Sequence, residues 1–290
     1  MAKPDKLVFL LNGAGALVFA SLAGFVLVPL FSGGEEPGCF ARYERAAVFG
    51  FADETGAPRT PIELQAEAGW SERGMLHKVT VQPNEGGPAP AVLEVALGGT
   101  ADDDERAIEP ALSFDWRPRG LPGATAACLR YQVHLPEDFD FRRAGVLPSL
   151  FGGERQEFGH KADASKGVSA RLMWRGKGAG EINAVFAGAA QRQGQILGYD
   201  LFKLKPGKWI SIEQEVVLNT PGAADGALRV WVDGDLSYQS KAMAWRGEAP
   251  LSLDGVLADV GYARSPGVGD NKASSGGSTS IRISPLEVAW

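Results

Sequence analysis

Alternation of apolar and polar residues is the main pattern in the chain after residue 40. From Leu129 to Leu135 the odd-numbered positions are apolar and the even-numbered ones are polar, which is typical of a half-buried strand. Residues 228–232 place apolar side chains at every second position and meet Asp233-Gly234, a dipeptide typical of a hairpin turn. The same kind of pattern predicts further strands at Met75–Val81, Ala91–Leu97, Trp209–Leu218 and Ile281–Val288.

Turn-forming residues separate these predicted strands. The chain of 290 residues contains 38 glycines and 18 prolines, more than the usual shares of about 7% and 5%. No long helical period follows residue 31. Many short strands with closely spaced turns predict an all-β sandwich or jelly roll for residues 40–290.

A long apolar run, residues 7–31, lies near the N-terminus. As a helix at about 1.5 Å per residue it would be long enough to cross a hydrocarbon core of about 30 Å. A cleaved signal peptide is the alternative, with Ser21-Leu22-Ala23 as a small-residue cleavage site. The apolar run continues past that site from Gly24 to Phe31, so a retained transmembrane anchor is the favoured interpretation.

Charges on either side of the run predict its orientation. Lys3 and Lys6 precede it and Glu35 and Glu36 follow it, so the N-terminus is expected in the cytoplasm and the remainder outside. The predicted organisation is an anchor at 1–31 in the lipid bilayer, a polar linker at 32–39 and a β-sandwich domain at 40–290. This corresponds to a single-pass protein of a bacterial-type inner membrane with a periplasmic or extracellular domain.

Composition narrows the classes of partner. Lysine and arginine number 29 against 35 aspartates and glutamates, a formal net charge of −6. No basic stripe is visible, so no nucleic-acid partner is predicted. The two cysteines, Cys39 and Cys128, are too few for a cysteine-rich zinc module. They could pair in an oxidising compartment or remain free thiols, and no metal or cofactor is predicted.

Six segments between residues 127 and 260 carry a family resemblance. They are Leu129–Phe141, Gly145–Gly153, Ser169–Arg175, Pro206–Trp209, Val217–Gly222 and Gly226–Gly234. The second is similar to a Gly-Lys-Leu-Pro-Gly-Leu segment and the third to a Ser-x-Arg-x-Met-Trp-Arg strand. In that order the segments resemble the polysaccharide lyase 14 family of alginate and glucuronan lyases. The resemblance implies a concanavalin-like jelly roll with a concave groove for carbohydrate.

The resemblance also implies where catalysis would take place. In the family a lysine of the Gly-Lys-Leu-Pro segment and a Tyr-x-Tyr pair after the arginine strand are implicated. Here Val146 stands at the lysine position, and Glu181–Phe186 contains no tyrosine. The fold is therefore expected to be inherited and catalysis to be lost. His160 and Tyr199 are the weak candidates for replacement catalytic residues.

The strand Ser169–Arg175 predicts a binding surface. Period-2 geometry places Ser169, Arg171 and Arg175 on one face, where the guanidinium groups could pair with uronate carboxylates. With Glu181 they form the candidate carbohydrate-binding set. The alternative is that the arginines pair with Glu181 or Glu213 of neighbouring strands.

These observations leave three functional hypotheses. The leading one is a membrane-anchored, outward-facing lyase-like domain that binds a polysaccharide without cleaving it. The second is a structural or interaction subunit of a larger membrane protein complex. The third is a diverged, active polysaccharide lyase.

Overall fold

Two β-sheets packed face to face make up the folded part of the protein in a computed structural model. The structure describes residues 38–68, 72–97, 110–141, 143–155, 166–188, 194–248, 250–263 and 279–290. The segment Gly38–Trp290 forms one compact unit.

The first sheet has nine strands and includes both ends of the described chain. Its members are β1 (Ala46–Phe49), β2 (Val79–Pro83), β3 (Ala91–Ala96), β5 (Ala126–His134), β11 (Trp209–Val217), β12 (Gly226–Val232), β13 (Asp235–Met243), β16 (Ser280–Ile283) and β17 (Leu286–Ala289). The main path runs β13-β12-β11-β5-β16-β3-β2, and β17 pairs with both β1 and β5. Every pairing is antiparallel.

The second sheet has eight strands and is also antiparallel. Its members are β4 (Asp115–Trp116), β6 (Gly145–Leu147), β7 (Ser149–Gly153), β8 (Gly167–Arg175), β9 (Ala179–Val185), β10 (Gln195–Leu197), β14 (Gly255–Leu257) and β15 (Gly261–Tyr262). The main path runs β10-β9-β8-β7-β14-β4, and β6 pairs with both β8 and β15. β8 therefore lies in the middle of this sheet.

A single apolar core fills the space between the two sheets. β5 contributes Leu129, Tyr131 and Val133 to it, and β8 contributes alternate residues from Val168 to Trp174. The Tyr131 hydroxyl, fully buried, donates a hydrogen bond to the carbonyl of Pro148 on the opposite sheet. The predicted all-β, jelly-roll-like sandwich is confirmed, because the period-2 pattern buries one face of each strand against the other sheet.

Two of the predicted strands have wrong boundaries. The strand predicted at Met75–Val81 begins only at Val79, because residues 74–78 form a turn in which the N–H of Lys78 donates to the Gly74 carbonyl. The strand predicted at Ile281–Val288 is divided into β16 and β17 at Ser284-Pro285. Proline has no N–H to donate, so the ladder is interrupted there.

One short helix, α1 (Pro61–Ala68), is absent from the pattern-based prediction. A reciprocal cap starts it: the Thr60 N–H donates to Glu63 Oε2 at 2.7 Å, and the Glu63 N–H donates to Thr60 Oγ1 at 3.4 Å. Proline is favoured at the first helical position, which it occupies here. The helix packs Leu64 and Ala68 into the core.

Most of the predicted N-terminal region lies outside the described residues. This holds for the anchor at 1–31 and for residues 32–37 of the predicted linker, whereas Gly38 and Cys39 belong to the compact unit. Within the described ranges, no helix has both the length and the apolar character needed to span a membrane.

The N-terminal strap, residues 38–43, crosses the nine-stranded sheet on the face turned away from the core. A disulfide joins Cys39 of the strap to Cys128 of β5, and both residues are fully buried against Trp231 of β12. Phe40 lies under the Arg130 guanidinium, 3.9 Å from it, in a cation–π contact. The strap is thus held covalently and by stacking.

Ionic contacts complete the attachment of the strap. Glu215 of β11 is 3% exposed and accepts hydrogen bonds from Arg42 at 3.3 Å, from the Tyr43 hydroxyl at 3.0 Å and from Arg229 of β12. Burial, together with the negative charge of Glu215, raises the pKa of Tyr43, so its hydroxyl stays protonated and acts as a donor.

We expect removal of the disulfide to destabilise the protein. The bridge joins positions 89 residues apart, so Cys39→Ala with Cys128→Ala should lower the free energy of unfolding by about 2–5 kcal/mol, because the unfolded chain gains entropy. Urea unfolding with and without reductant measures the effect. Reductant should lower the midpoint of the wild type and leave that of the double variant unchanged. Equal wild-type midpoints in the two conditions would contradict the prediction.

Candidate functional site

The site face is the side of the eight-stranded sheet that is turned away from the core. On β8 the residues Val168, Ala170, Leu172 and Trp174 point into the core. The alternate residues Ser169, Arg171, Met173 and Arg175 therefore lie on the site face. Ser169 and Arg171 are 5% and 2% exposed, so this face of the strand is covered as well.

The pairing of β8 with β9 shows which residues lie next to Ser169 and Arg171. Asn183 of β9 lies opposite Arg171, and Val185 lies opposite Ser169. Asn183 and Val185 are both buried. An amide and an isopropyl group therefore flank the Ser169–Arg171 pair on the β9 side.

A buried ion pair dominates the centre of the site face. Arg171 Nε donates to Asp259 Oδ2 at 3.0 Å, and the two side chains are 3% and 2% exposed. Arg171 Nη1 also donates to Ser169 Oγ at 3.3 Å. Asp259 is thus a partner of Arg171 that the sequence did not suggest, and Glu213 lies on the other sheet, where it accepts the Phe40 N–H at 3.2 Å.

Arg155 extends this pair into a network. It donates to Asp259 Oδ1 at 3.2 Å and to Asp115 Oδ1 at 3.3 Å, and it is also hydrogen-bonded to Ser113. The Ser113 hydroxyl donates to Asp259 Oδ1 at 2.6 Å. Asp259 is therefore satisfied by two guanidinium groups and a hydroxyl, which compensates the cost of burying its charge.

A second ion pair lies at the end of β8. Arg175 Nε is hydrogen-bonded to Glu181 Oε2 of β9, and the side chains are 20% and 1% exposed. The Arg175 guanidinium carbon also lies 5.4 Å from the centre of the Tyr199 ring. The candidate residues Arg175, Glu181 and Tyr199 thus meet at this end, whereas Ser169 and Arg171 belong to the central network.

An apolar cluster occupies the position that the resemblance assigns to the family lysine. Val146 of β6 pairs with Met173 of β8, and both are fully buried together with Ala263. An ammonium group at this position would lie among methyl and thioether groups, unless the surroundings changed with it.

One depression lies beside the central network among the described residues. It is lined by Phe151, Arg155, Ser169, Val185 and Leu257 among others, and its empty volume of about 150 Å³ includes open solvent. It encloses no space for a water molecule, so this depression is not a preformed ligand cavity.

One group of metal-type ligands occurs in the described part of the chain. The ligand atoms of Cys39, Cys128 and Glu213 lie within 4.8 Å of one another. The two sulfur atoms are joined in the disulfide and are not available as thiolates. The arrangement is therefore a covalent clamp for the strap.

Sequence reasoning missed the acidic half of the central network. Asp259 follows Leu257-Ala258 and precedes Val260, and an acid inside an apolar run is a signal of a buried, paired charge. No comparable signal marks Arg155, whose partners are 40 and 104 positions away in the chain. The candidate His160 lies outside the described residues.

We expect Arg171 to be essential for stability. Arg171→Ala would leave the Asp259 charge buried with fewer partners, and breaking such a pair costs about 3–5 kcal/mol. The matched control is Lys166→Ala, since Lys166 pairs with Glu154 on the surface with side chains 74% and 68% exposed; such a pair contributes about 0–1 kcal/mol. Chemical denaturation of the variants measures both effects. Equal, small losses would show that the central pair does not stabilise the fold.

Several solved polysaccharide lyases have the same architecture. The marine alginate lyase of Aplysia kurodai superposes with a TM-score of 0.61 at 23% identity, covering 76% of this chain and 89% of that one. The alginate lyase of a Chlorella virus gives 0.61 at 23% identity, with 79% and 96% covered. The glucuronan lyase of the fungus Trichoderma reesei gives 0.55 at 13% identity, with 76% and 91% covered. At these identities the likeness establishes the fold.

Family membership comes from the sequence itself. No curated protein matches the chain. The model of the polysaccharide lyase 14 family, however, matches residues 91–263, which is more than half of the chain. This stretch is longer than the one that the six motifs cover. The matched stretch includes the whole of β8 and β9 and the three acidic residues Asp115, Glu181 and Asp259. This chain belongs to the polysaccharide lyase 14 family.

Proposed function

We propose that the chain is a membrane-anchored, outward-facing member of this family that binds a polysaccharide without cleaving it. The observation that carries the proposal is the composition of the site face. Its two arginines are held by the protein's own carboxylates, while an aromatic side chain beside Arg175 stays open to solvent.

The described residues of the site face are poorly arranged for the elimination reaction of a polysaccharide lyase. A polysaccharide lyase must neutralise the uronate carboxylate, remove the neighbouring proton and protonate the leaving oxygen. Arg171 is engaged with Asp259 and is 2% exposed, so a sugar carboxylate would have to displace a buried partner. Val146 and Val185 carry no group that can transfer a proton.

The acids of the site face are also poorly placed to act as bases. Asp259 and Glu181 are each 1% exposed, and both are held by arginine side chains. A general base must come within hydrogen-bond reach of the proton that it removes. These two carboxylates cannot do so without breaking the ion pairs that hold the sheet surface together.

Two lines of support favour binding of a carbohydrate. The similar structures named above are alginate and glucuronan lyases, and a further alginate lyase with a TM-score of 0.59 at 15% identity was determined in complex with an alginate trisaccharide. In this chain Tyr199 is 70% exposed at the Arg175 end of the site face. An exposed aromatic ring beside a positioned polar group is a common element of sugar recognition.

The disulfide supports an outward-facing domain. Disulfides persist in the periplasm and outside the cell and are rare in the cytosol. The bond between Cys39 and Cys128 is buried under the strap and closes the start of the domain onto its own sheet. Together with the apolar run at 7–31 preceded by Lys3 and Lys6, this favours a single-pass anchor in a bacterial-type inner membrane.

A second function, that of a structural subunit in a membrane protein complex, is favoured by a different observation. β8 is buried on both faces from Gly167 to Trp174, and the depression beside it encloses no space for a water molecule. A lyase-like sheet whose central strand is covered in this way could serve as a rigid scaffold that a partner protein contacts elsewhere. Failure to bind any polysaccharide would favour this function.

We expect no lyase turnover from the full-length chain. Incubation with alginate or glucuronan should give no rise in the ultraviolet absorbance of an unsaturated product, because the acids described on the site face, Asp259 and Glu181, are buried in ion pairs. Calorimetric titration of the same preparation should detect binding of alginate oligosaccharides. Turnover that is abolished in His160→Ala or Tyr199→Phe would establish a diverged, active lyase instead.

We also expect the protein to remain in the membrane through residues 7–31. The run is long enough to span, and the lysines before it favour a cytoplasmic N-terminus. Mass spectrometry of the membrane fraction should find the N-terminal peptide intact, and protease added outside should digest the domain. A soluble protein with a mature N-terminus near Gly24 would overturn the anchor.

A further inference from the structure

We infer that Tyr199 is a stacking platform for one pyranose ring of the polysaccharide, at the Arg175 end of the site face. This inference rests on the proposed binding function and adds to it the residue and the type of contact. It assigns Tyr199 a binding role in place of the catalytic role for which it was a candidate.

The exposure of Tyr199 separates it from the other aromatic residues. Among the described tyrosine, phenylalanine and tryptophan residues it is the one that is mostly exposed, at 70%. Single exposed apolar side chains are common on protein surfaces, so exposure alone does not define a site. The inference depends on how the backbone and Arg175 hold the ring.

The backbone around Tyr199 is fixed in an uncommon conformation. The residues on either side, Gly198 and Asp200, have φ angles of +69° and +57°. A non-glycine residue in this region is under mild strain, which persists when surrounding contacts hold it. The contact that holds the segment is a 3.0 Å hydrogen bond from the Leu201 N–H to the Gly180 carbonyl of β9, and Asp200 also pairs with Lys203 at the surface.

Arg175 fixes the orientation of the ring. Its guanidinium carbon lies 5.4 Å from the ring centre, within the range of a cation–π contact. Arg175 itself is held by Glu181, which is 1% exposed on β9. The Tyr199 ring is thus positioned before any ligand arrives, which lowers the entropic cost of binding.

This arrangement fits a hexopyranose. The face of an aromatic ring carries negative potential and attracts the C–H groups that line one face of a sugar ring. Because the charge of Arg175 is offset by Glu181, stacking does not require a sugar carboxylate. The same platform would accept a uronate ring or a neutral hexose ring, and the two kinds of probe distinguish them.

The test uses the full-length chain in detergent, titrated with an alginate hexasaccharide and with cellohexaose. Tyr199→Ala should weaken the affinity for whichever probe binds by about tenfold, whereas Tyr199→Phe should stay within about twofold because the ring remains. Leu236→Ala, a 38% exposed apolar residue of β13 on the other sheet, is the matched control and should bind like the wild type. Thermal melts confirm that each variant is folded.

Each failure has a different meaning. Wild-type affinity in Tyr199→Ala would overturn the stacking platform and leave the binding function in place. An equal loss in Tyr199→Phe and Tyr199→Ala would show that the hydroxyl, not the ring, makes the contact, which also overturns stacking. Absence of binding of both probes to the wild type would overturn the binding function, and the platform with it.

Discussion

The buried carboxylate of Asp259 sets the constraint on which the site face depends. A charge that is 1% exposed has to be compensated inside the protein, and here Arg171, Arg155 and Ser113 surround it. Because these groups pair with one another, their charges compensate, and the centre of the site face is closed to solvent. A network of this kind contributes little net stability compared with an apolar core, but loss of one member is costly. It therefore leaves Arg171 and Asp259 buried and paired at the centre of the site face.

The position of β8 explains why the proposed carbohydrate contact lies at the end of this strand. The strand is in the middle of the eight-stranded sheet, with the core on one side and the ion-pair network on the other. Only its last residue, Arg175, is partly exposed, and this is where Tyr199 lies. Similar sandwiches occur in an alginate lyase and a glucuronan lyase. This chain keeps the same architecture, and the contact proposed for carbohydrate lies at the Arg175 end of β8.

The N-terminal strap has a comparable role on the opposite sheet. The apolar face of Trp231 and the carboxylate of Glu215 would be exposed on the outer side of β11 and β12 without it. The disulfide joins the strap to β5, and Arg42 and Tyr43 bind Glu215. The strap is thus held to the sheet by a covalent clamp and by ionic contacts.

Local patterns in the sequence determined the fold class, because a period of two residues is enough to define a strand with one buried face. The Thr60–Glu63 cap could have been read in the same way, since its partners are three residues apart. The motif order around Ser169–Arg175 determined the family. Only the tertiary structure decided which charges meet: Arg171 and Asp259 are 88 residues apart, and Cys39 and Cys128 are 89 apart. Such pairs depend on sheet order and register, which no local pattern encodes, and so the burial of the site face became visible only in the folded chain.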